Sequence, residues 1–235
     1  YSSDVDITTL ADTPGAPTLS AAAVQGFTVR INSSTNPATT TYIIRDTVNG
    51  AQTKYLQADH TWGNATATFN YADLGPVSGT STIQLSTNTL HRISVAAVNG
   101  DLVTSSYSSD VDITTLADTP GAPTVTSTAN QTMKVTINSS TNPATTTYVI
   151  RDTGSATTKY LQDDHTWSTA TATFTYQQLG DINGTTTIGL ATNTLHTISV
   201  AAINGDHVTT TYSSTASVYT LADTPGTPTL SAATV

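Results

Sequence analysis

Cysteine is missing from this chain of 235 residues, glutamate is missing as well, and Lys and Arg together number only seven. Without thiols there is no disulfide scaffold, no thiolate metal site and no cysteine nucleophile. Without Glu there is neither an HExxH zinc motif nor an EF-hand loop, since both need that side chain. All 16 acidic residues are Asp, and the net charge is −9. So few cations cannot neutralise a phosphate backbone, which excludes nucleic acid as the expected partner and disfavours docking on anionic lipid. No apolar run approaches the roughly 18 residues of a membrane-spanning segment, so no membrane insertion is expected here. The straight-chain helix formers Glu, Lys, Arg and Met are rare or absent.

What remains is dominated by Thr, Ser, Val, Ile and Tyr, residues that suit a pleated, half-buried surface. An all-β chain follows. The length allows one large domain or two of ordinary size.

An internal repeat decides between them. The run Tyr1–Thr18 recurs without change at Tyr107–Thr124. A related version appears a third time, with Tyr212-Ser213-Ser214 running into Leu221-Ala222-Asp223-Thr224-Pro225-Gly226. The second copy is one residue shorter, near Asn49-Gly50. The expected organisation is residues 1–12 as the last strand of a preceding repeat, full repeats at 13–118 and 119–223, and 224–235 as the start of another. The chain then reads as a window on a longer array.

Within each repeat, apolar residues alternate with polar ones between turn signals. Phe27, Val29 and Ile31 alternate, as do Met133, Val135 and Ile137. Tyr42 and Ile44 are matched by Tyr148 and Ile150, and Ile93, Val95 and Ala97 by Ile198, Val200 and Ala202. Ile83 with Leu85, and Ile188 with Leu190, are expected to form a further strand. Period two implies one buried and one wet face. Substitutions between the copies agree: Phe27 against Met133 keeps an apolar volume, while Arg30 against Thr136 changes charge. Asn99-Gly100 and Asn204-Gly205 predict tight hairpins with positive φ. Thr13-Pro14-Gly15-Ala16-Pro17 predicts a short, stiff junction.

About seven short strands in roughly 100 residues describes a Greek-key sandwich. The Pro-x-x-Pro run, the strand carrying Tyr42, and above all Leu90–Gly100 resemble the A, C and F strands of the fibronectin type III family. The resemblance covers both full repeats. It implies tandem immunoglobulin-like (fibronectin type III) β-sandwiches, and a structural or adhesive part rather than an enzyme. Two positions depart from the family pattern. The usual strand-B Trp has no counterpart, and His91 and His196 stand at the tyrosine corner, where they are expected to donate to backbone.

The sequence carries no GxSxG elbow or GxxxxGK[ST] loop, so acyl transfer and nucleotide binding have no anchor. Its Asp residues fall mostly in apparent turns, where they are common for local hydrogen bonding. No catalytic, cofactor-binding or metal residue is expected. One site reading is calcium at the repeat junctions, held by the clustered carboxylates Asp4, Asp6, Asp12, Asp110, Asp112 and Asp118. Its rival is a solvated outer strand face. Another is an interaction patch of His60, Trp62, His165 and Trp167, because Asp-His-Thr-Trp recurs in both copies. There the competing reading is a Trp that closes one end of the core.

The expected function is a stiff spacer in an extracellular or cell-surface fibre, filament or adhesin stalk of a large exported microbial, and by its lack of Cys bacterial, protein. Its expected partners are copies of itself or neighbouring repeats, with surface glycans a further possibility. The alternative is a glycan- or protein-binding accessory module of a larger secreted protein.

Overall fold

The computed structural model describes residues 7–74, 79–180 and 183–230. Among them every regular element is a β-strand. The first repeat contributes β1 (Gly15–Ala23), β2 (Gly26–Asn32), β3 (Thr41–Val48), β4 (Gln52–Leu56), β5 (Trp62–Gly63), β6 (Phe69–Asn70), β7 (Thr80–Ser81), β8 (Leu90–Val98) and β9 (Val111–Thr114). The second repeats the series as β10 (Gly121–Ala129), β11 (Thr132–Asn138), β12 (Thr147–Asp152), β13 (Lys159–Leu161), β14 (Trp167–Ser168), β15 (Phe174–Thr175), β16 (Thr185–Thr187), β17 (Leu195–Ile203) and β18 (Ala216–Tyr219). The pairings of the first repeat are antiparallel, as are β10–β11, β11–β16, β12–β13, β12–β15, β13–β14 and β17–β18 in the second. Each repeat has a small sheet, β1-β2-β7 or β10-β11-β16, and a larger one, β5-β4-β3-β8-β9 or β14-β13-β12-β17-β18. The all-β, two-layer architecture read from the sequence is the one observed.

By compactness the chain divides into two units. One takes in the described residues up to Asp118 together with Thr141–Thr146 and Ile203–Thr210. The other takes in Thr119–Ser140, Thr147–Ala202 and the described residues from Thr211 onward.

The core of the first repeat lies between its two sheets. Phe27, Val29 and Ile31 on β2 meet Tyr42 and Ile44 on β3, Leu56 on β4, and Ile93, Val95 and Ala97 on β8. Met133, Val135, Ile137, Tyr148, Ile150, Leu161, Ile198, Val200 and Ala202 are buried likewise in the second repeat. Each fully buried side chain of this size contributes about 1.5–3 kcal/mol, so a dozen of them dominate stability. Surface ion pairs, at about 0–1 kcal/mol each, are minor beside them.

Three sequence expectations need correction. First, β8 is buried on both faces: Ser94 and Ala96 are as inaccessible as Ile93 and Val95. The outer face is covered because Arg45 reaches across it, donating from Nε to Ser94 Oγ at 3.1 Å. The Arg45 guanidinium in turn lies 3.9 Å over the ring of Tyr107. Second, Ile83 and Ile188 are exposed and belong to no strand, while Thr80, Thr82 and Leu85 point inward. A polar Thr82 can sit inside because its hydroxyl donates to Phe27 O and accepts from Phe27 N–H, leaving nothing unsatisfied. Third, the tight turn at Asn99-Gly100 is present, closed by Leu102 N–H donating to Asn99 O at 3.0 Å, but neither Asn99 nor Gly100 takes positive φ. There the left-handed residue is Leu102, and His207 in the second copy. The turn in which an Asn-Gly pair does adopt positive φ at both residues is Asn49-Gly50, between β3 and β4. It is closed by Ala51 N–H donating to Val48 O.

The segment before β9 explains the recurring Tyr-Ser-Ser. Ser108 N–H donates to Val95 O at 2.8 Å, and Ser108 Oγ accepts from Val95 N–H at 3.1 Å. Ser105 does the same for Ala97. A hydroxyl therefore takes the place of a carbonyl along the edge of β8. Tyr107 supplies the platform for Arg45. In the second repeat Ser213 pairs with Val200 and Tyr212 lies under Arg151 at 3.6 Å.

Candidate functional site

The Asp-His-Thr-Trp patch is a tight, self-bonded turn. Asp59 Oδ1 accepts from the N–H and the hydroxyl of Thr61, at 3.0 and 2.6 Å. These bonds hold the Asp59 carboxyl below the usual carboxylate range, the Thr61 hydroxyl being the larger cause. His60 takes the left-handed conformation, φ 67°, and its N–H donates to Gln57 O. The carbonyl of His60 accepts from Ile83 N–H, which ties the turn to the chain beyond β7. His165 adopts the same φ and ties to Ile188, and its Nδ1 lies 2.9 Å from Thr186 O.

Both His side chains are exposed, and both Trp rings are half-buried. Trp62 packs against the core, its ring 6.3 Å from that of Phe27. The indole nitrogens of Trp62 and Trp167 are shielded from solvent. The hollow beside His165 is lined by Leu161, Gln162, Asp163, Phe174, Gln178 and Leu179 among others, with Asp163 as its carboxylate. A single carboxylate does not supply the pair that glycosidic hydrolysis requires.

The carboxylates named for calcium are engaged elsewhere. Asp112 accepts both arms of Arg92, Nε and Nη2, at 2.8 Å each. That bidentate pair lowers the Asp112 pKa. Asp110 lies 3.7 Å from Arg45. Asp12 accepts from the hydroxyls of Ser34 and Thr35, and Asp118 from that of Thr141. Asp4 and Asp6 lie outside the described residues. Among the described residues no group of three His, Cys, Asp or Glu side chains is placed to hold a metal ion.

One arrangement escaped the sequence reading. Asp46 and Asp152 sit in strands β3 and β12 and are buried, not in turns. His91 Nδ1 lies 2.6 Å from Asp46 Oδ2, and His196 Nδ1 the same distance from Asp152 Oδ2. The second carboxylate oxygen accepts backbone N–H groups, from Arg92 to Asp46, and from Thr197 and Gly154 to Asp152. So the corner histidines bond to carboxylate, not to backbone as expected. The physical reason is register: β3 and β8 pair so that Val48 faces His91 and Asp46 faces Ile93, which brings the carboxylate diagonally beside the imidazole. The recurrence of both residues at equivalent strand positions in the two copies was the signal available. Each imidazole Nε2 is buried, so the pair has no access to a substrate.

No family model matches the chain, and no curated protein matches it. Among solved structures, a segment of two fibronectin type III domains from chicken tenascin is similar, with a TM-score of 0.52 at 11% identity. The alignment covers 89% of this chain and 100% of that one. The FN1–FN3 domains of chicken CNTN1 align over 91% of this chain and 68% of theirs, at 16% identity and a TM-score of 0.38. The tenascin likeness bears on the fold alone: the chain consists of tandem fibronectin type III-like β-sandwiches.

Proposed function

We propose that this chain is a structural segment of an extracellular fibre, filament or adhesin stalk on a microbial, most simply bacterial, surface protein. Each sandwich buries its own core, and the number of repeats sets the length. The observation that carries this reading is the unchanged recurrence of Tyr1–Thr18 at Tyr107–Thr124, in repeats whose buried residues also correspond. Sameness of this kind serves an array in which every member does one job. Catalysis has no support among the described residues, because the buried His–Asp pairs are closed off and the exposed Asp–His turns are spent on their own backbone.

The accessory-module alternative would use Trp62 and Trp167. Rings that are half-buried, with shielded indole nitrogens, offer a small platform for a sugar face. This favours the spacer. Electron microscopy of the native surface is the test. A regular fibre whose axial repeat matches one sandwich is expected. A globular secreted particle, or retention of the purified chain on a glycan array that Trp62→Ala abolishes, would replace the spacer with the binding module.

A further inference from the structure

Four Asn-Gly pairs occur in the chain, at Asn49-Gly50, Asn99-Gly100, Asn183-Gly184 and Asn204-Gly205. Asparagine is chemically labile, most of all before glycine, which has no side chain to shield its backbone nitrogen. That nitrogen can attack the asparagine side-chain amide. Attack needs an amide free to turn, a nitrogen free to approach, and a backbone able to leave its folded conformation. The fold grants these unequally.

Asn99 and Asn204 are held at both ends of the amide. Asn99 Oδ1 accepts from Asp101 N–H at 3.1 Å and Val103 N–H at 2.8 Å, and its Nδ2 donates to Thr9 O at 3.1 Å. Asn204 Oδ1 accepts from Asp206 N–H at 3.1 Å and Val208 N–H at 2.8 Å, and its Nδ2 donates to Thr115 O at 3.3 Å. The two residues are only 8% and 3% exposed, which adds to the protection. In the later pair the attacking nitrogen is engaged too, because Gly205 N–H donates to Asn88 Oδ1 at 2.9 Å. Asn183 is exposed, but Gly184 lies tight against β11, where an added Cβ would come within 2.6 Å of Val135 O.

Asn49-Gly50 is different. Both residues are exposed at the tip of the β3–β4 hairpin, and a Cβ added at Gly50 would meet nothing within 4 Å. Asn49 Oδ1 takes a single bond, of 3.3 Å, from Leu90 N–H. Among the described residues nothing accepts from Asn49 Nδ2 or from Gly50 N–H. The left-handed turn, φ 48° and 71°, holds the nitrogen away from the side chain, so it must open before attack. One bond closes it, from Ala51 N–H to Val48 O at 3.0 Å, and exposed hairpin tips open at far lower cost than the core.

We infer that the chain modifies itself at Asn49-Gly50, by cyclisation and hydrolysis, and that the fold protects the other three pairs. The Gly50 nitrogen bonds to Asn49 Cγ, the Cγ–Nδ2 bond breaks, and Nδ2 leaves as ammonia with the Gly50 proton. Water then opens the cyclic imide. Addition at the side-chain carbonyl gives an aspartate, and addition at the main-chain carbonyl gives an isoaspartate, whose side-chain carbon joins the backbone. Either product adds a negative charge. The isoaspartate also lengthens the backbone by a methylene, which a two-residue turn cannot absorb. Asn49 N–H donates to Leu90 O at 2.9 Å, so the change loosens the start of β8 as well. The second repeat has Thr153-Gly154 at this corner, with no amide to lose, and is spared.

The test needs no variant. The full chain is held in mildly alkaline buffer at body temperature, and in parallel in concentrated urea, and sampled over weeks. Peptide mapping by mass spectrometry reads amide-to-acid conversion at each pair, and isoaspartyl methyltransferase labels the isoaspartate. In the folded chain Asn49 should convert at least about tenfold faster than Asn99 or Asn204, since each of those must first lose three hydrogen bonds. Asn183 should also lag behind Asn49. In urea the four pairs should convert at similar rates. Asn49 intact when the unfolded chain has converted would overturn the inference, as would any other pair matching it in the folded chain. Converted molecules should exchange the Ala51 and Leu90 amides faster than unconverted ones, and equal exchange would overturn the effect on the turn.

Discussion

His91 Nδ1 and Asp46 Oδ2 lie 2.6 Å apart between strands β8 and β3, both side chains closed to water. Removing one partner strands the other inside the protein, which is costlier than removing both. Asp46→Ala and His91→Ala are each expected to lower stability by about 3 kcal/mol, and an Asp46→Leu with His91→Phe double variant to recover much of that loss. Urea unfolding measures it. A single-variant loss below about 1 kcal/mol would show that the pair is dispensable.

The second copy adds a pH dependence. Burial would raise the Asp152 pKa, but the bonds from His196, Gly154 N–H and Thr197 N–H outweigh it and leave the group below its ordinary value. Between the folded and unfolded pKa values the unfolded chain binds more protons, so stability rises with pH there. The contribution is complete above about pH 4, the unfolded value, and is lost as pH falls through the lower folded value. Urea midpoints between pH 2 and 7 should therefore drop on the acid side, and Asp152→Asn should flatten the drop. An unchanged acid slope in that variant would remove Asp152 from the account.

Arg45 stacks on Tyr107 while bonding Ser94, so its planar guanidinium is used twice. Tyr107→Ala should cost about 1–2 kcal/mol, and Arg45→Lys should fail to preserve the stack and the Ser94 bond together. Thermal melts of the two variants and their combination provide a cycle. Additive losses would mean that the ring and the cation act separately.

Ser108→Ala leaves Val95 N–H without its hydroxyl acceptor in a buried setting. A loss of about 1–2 kcal/mol is expected, with faster hydrogen exchange at the Val95 amide. If exchange at Val95 is unchanged, that amide has another partner and the hydroxyl ladder is incidental.

The sequence made the two-layer fold readable because burial imposes period two, and Phe27, Val29 and Ile31 or Ile93, Val95 and Ala97 keep it strictly. It misled at Ile83, where the inward place is held by Thr82, a polar residue satisfied by the Phe27 backbone 55 positions away. The Asp46–His91 pair was hidden for the same reason: its partners are separated by 45 positions and meet only through strand register. Asn-Gly is a true signal for a left-handed turn, yet it operates at Asn49-Gly50 and not at Asn99-Gly100. In the latter, Asn99 spends its side chain on shaping the loop. As for the candidate site, Asp-His-Thr-Trp was visible by recurrence. That its Asp caps a turn and its Trp leans on Phe27 required coordinates.

The hydroxyls of Ser105 and Ser108 have a bearing on how such chains survive their own synthesis. Tandem near-copies invite a nascent strand to enter a neighbour's sheet in place of its twin, the characteristic accident of repetitive proteins. A strand margin already engaged by serine side chains, out of step with a normal backbone ladder, presents no continuous template for such an intruder. An incoming strand at that margin would meet Val95 and Ala97 with both backbone groups already bonded.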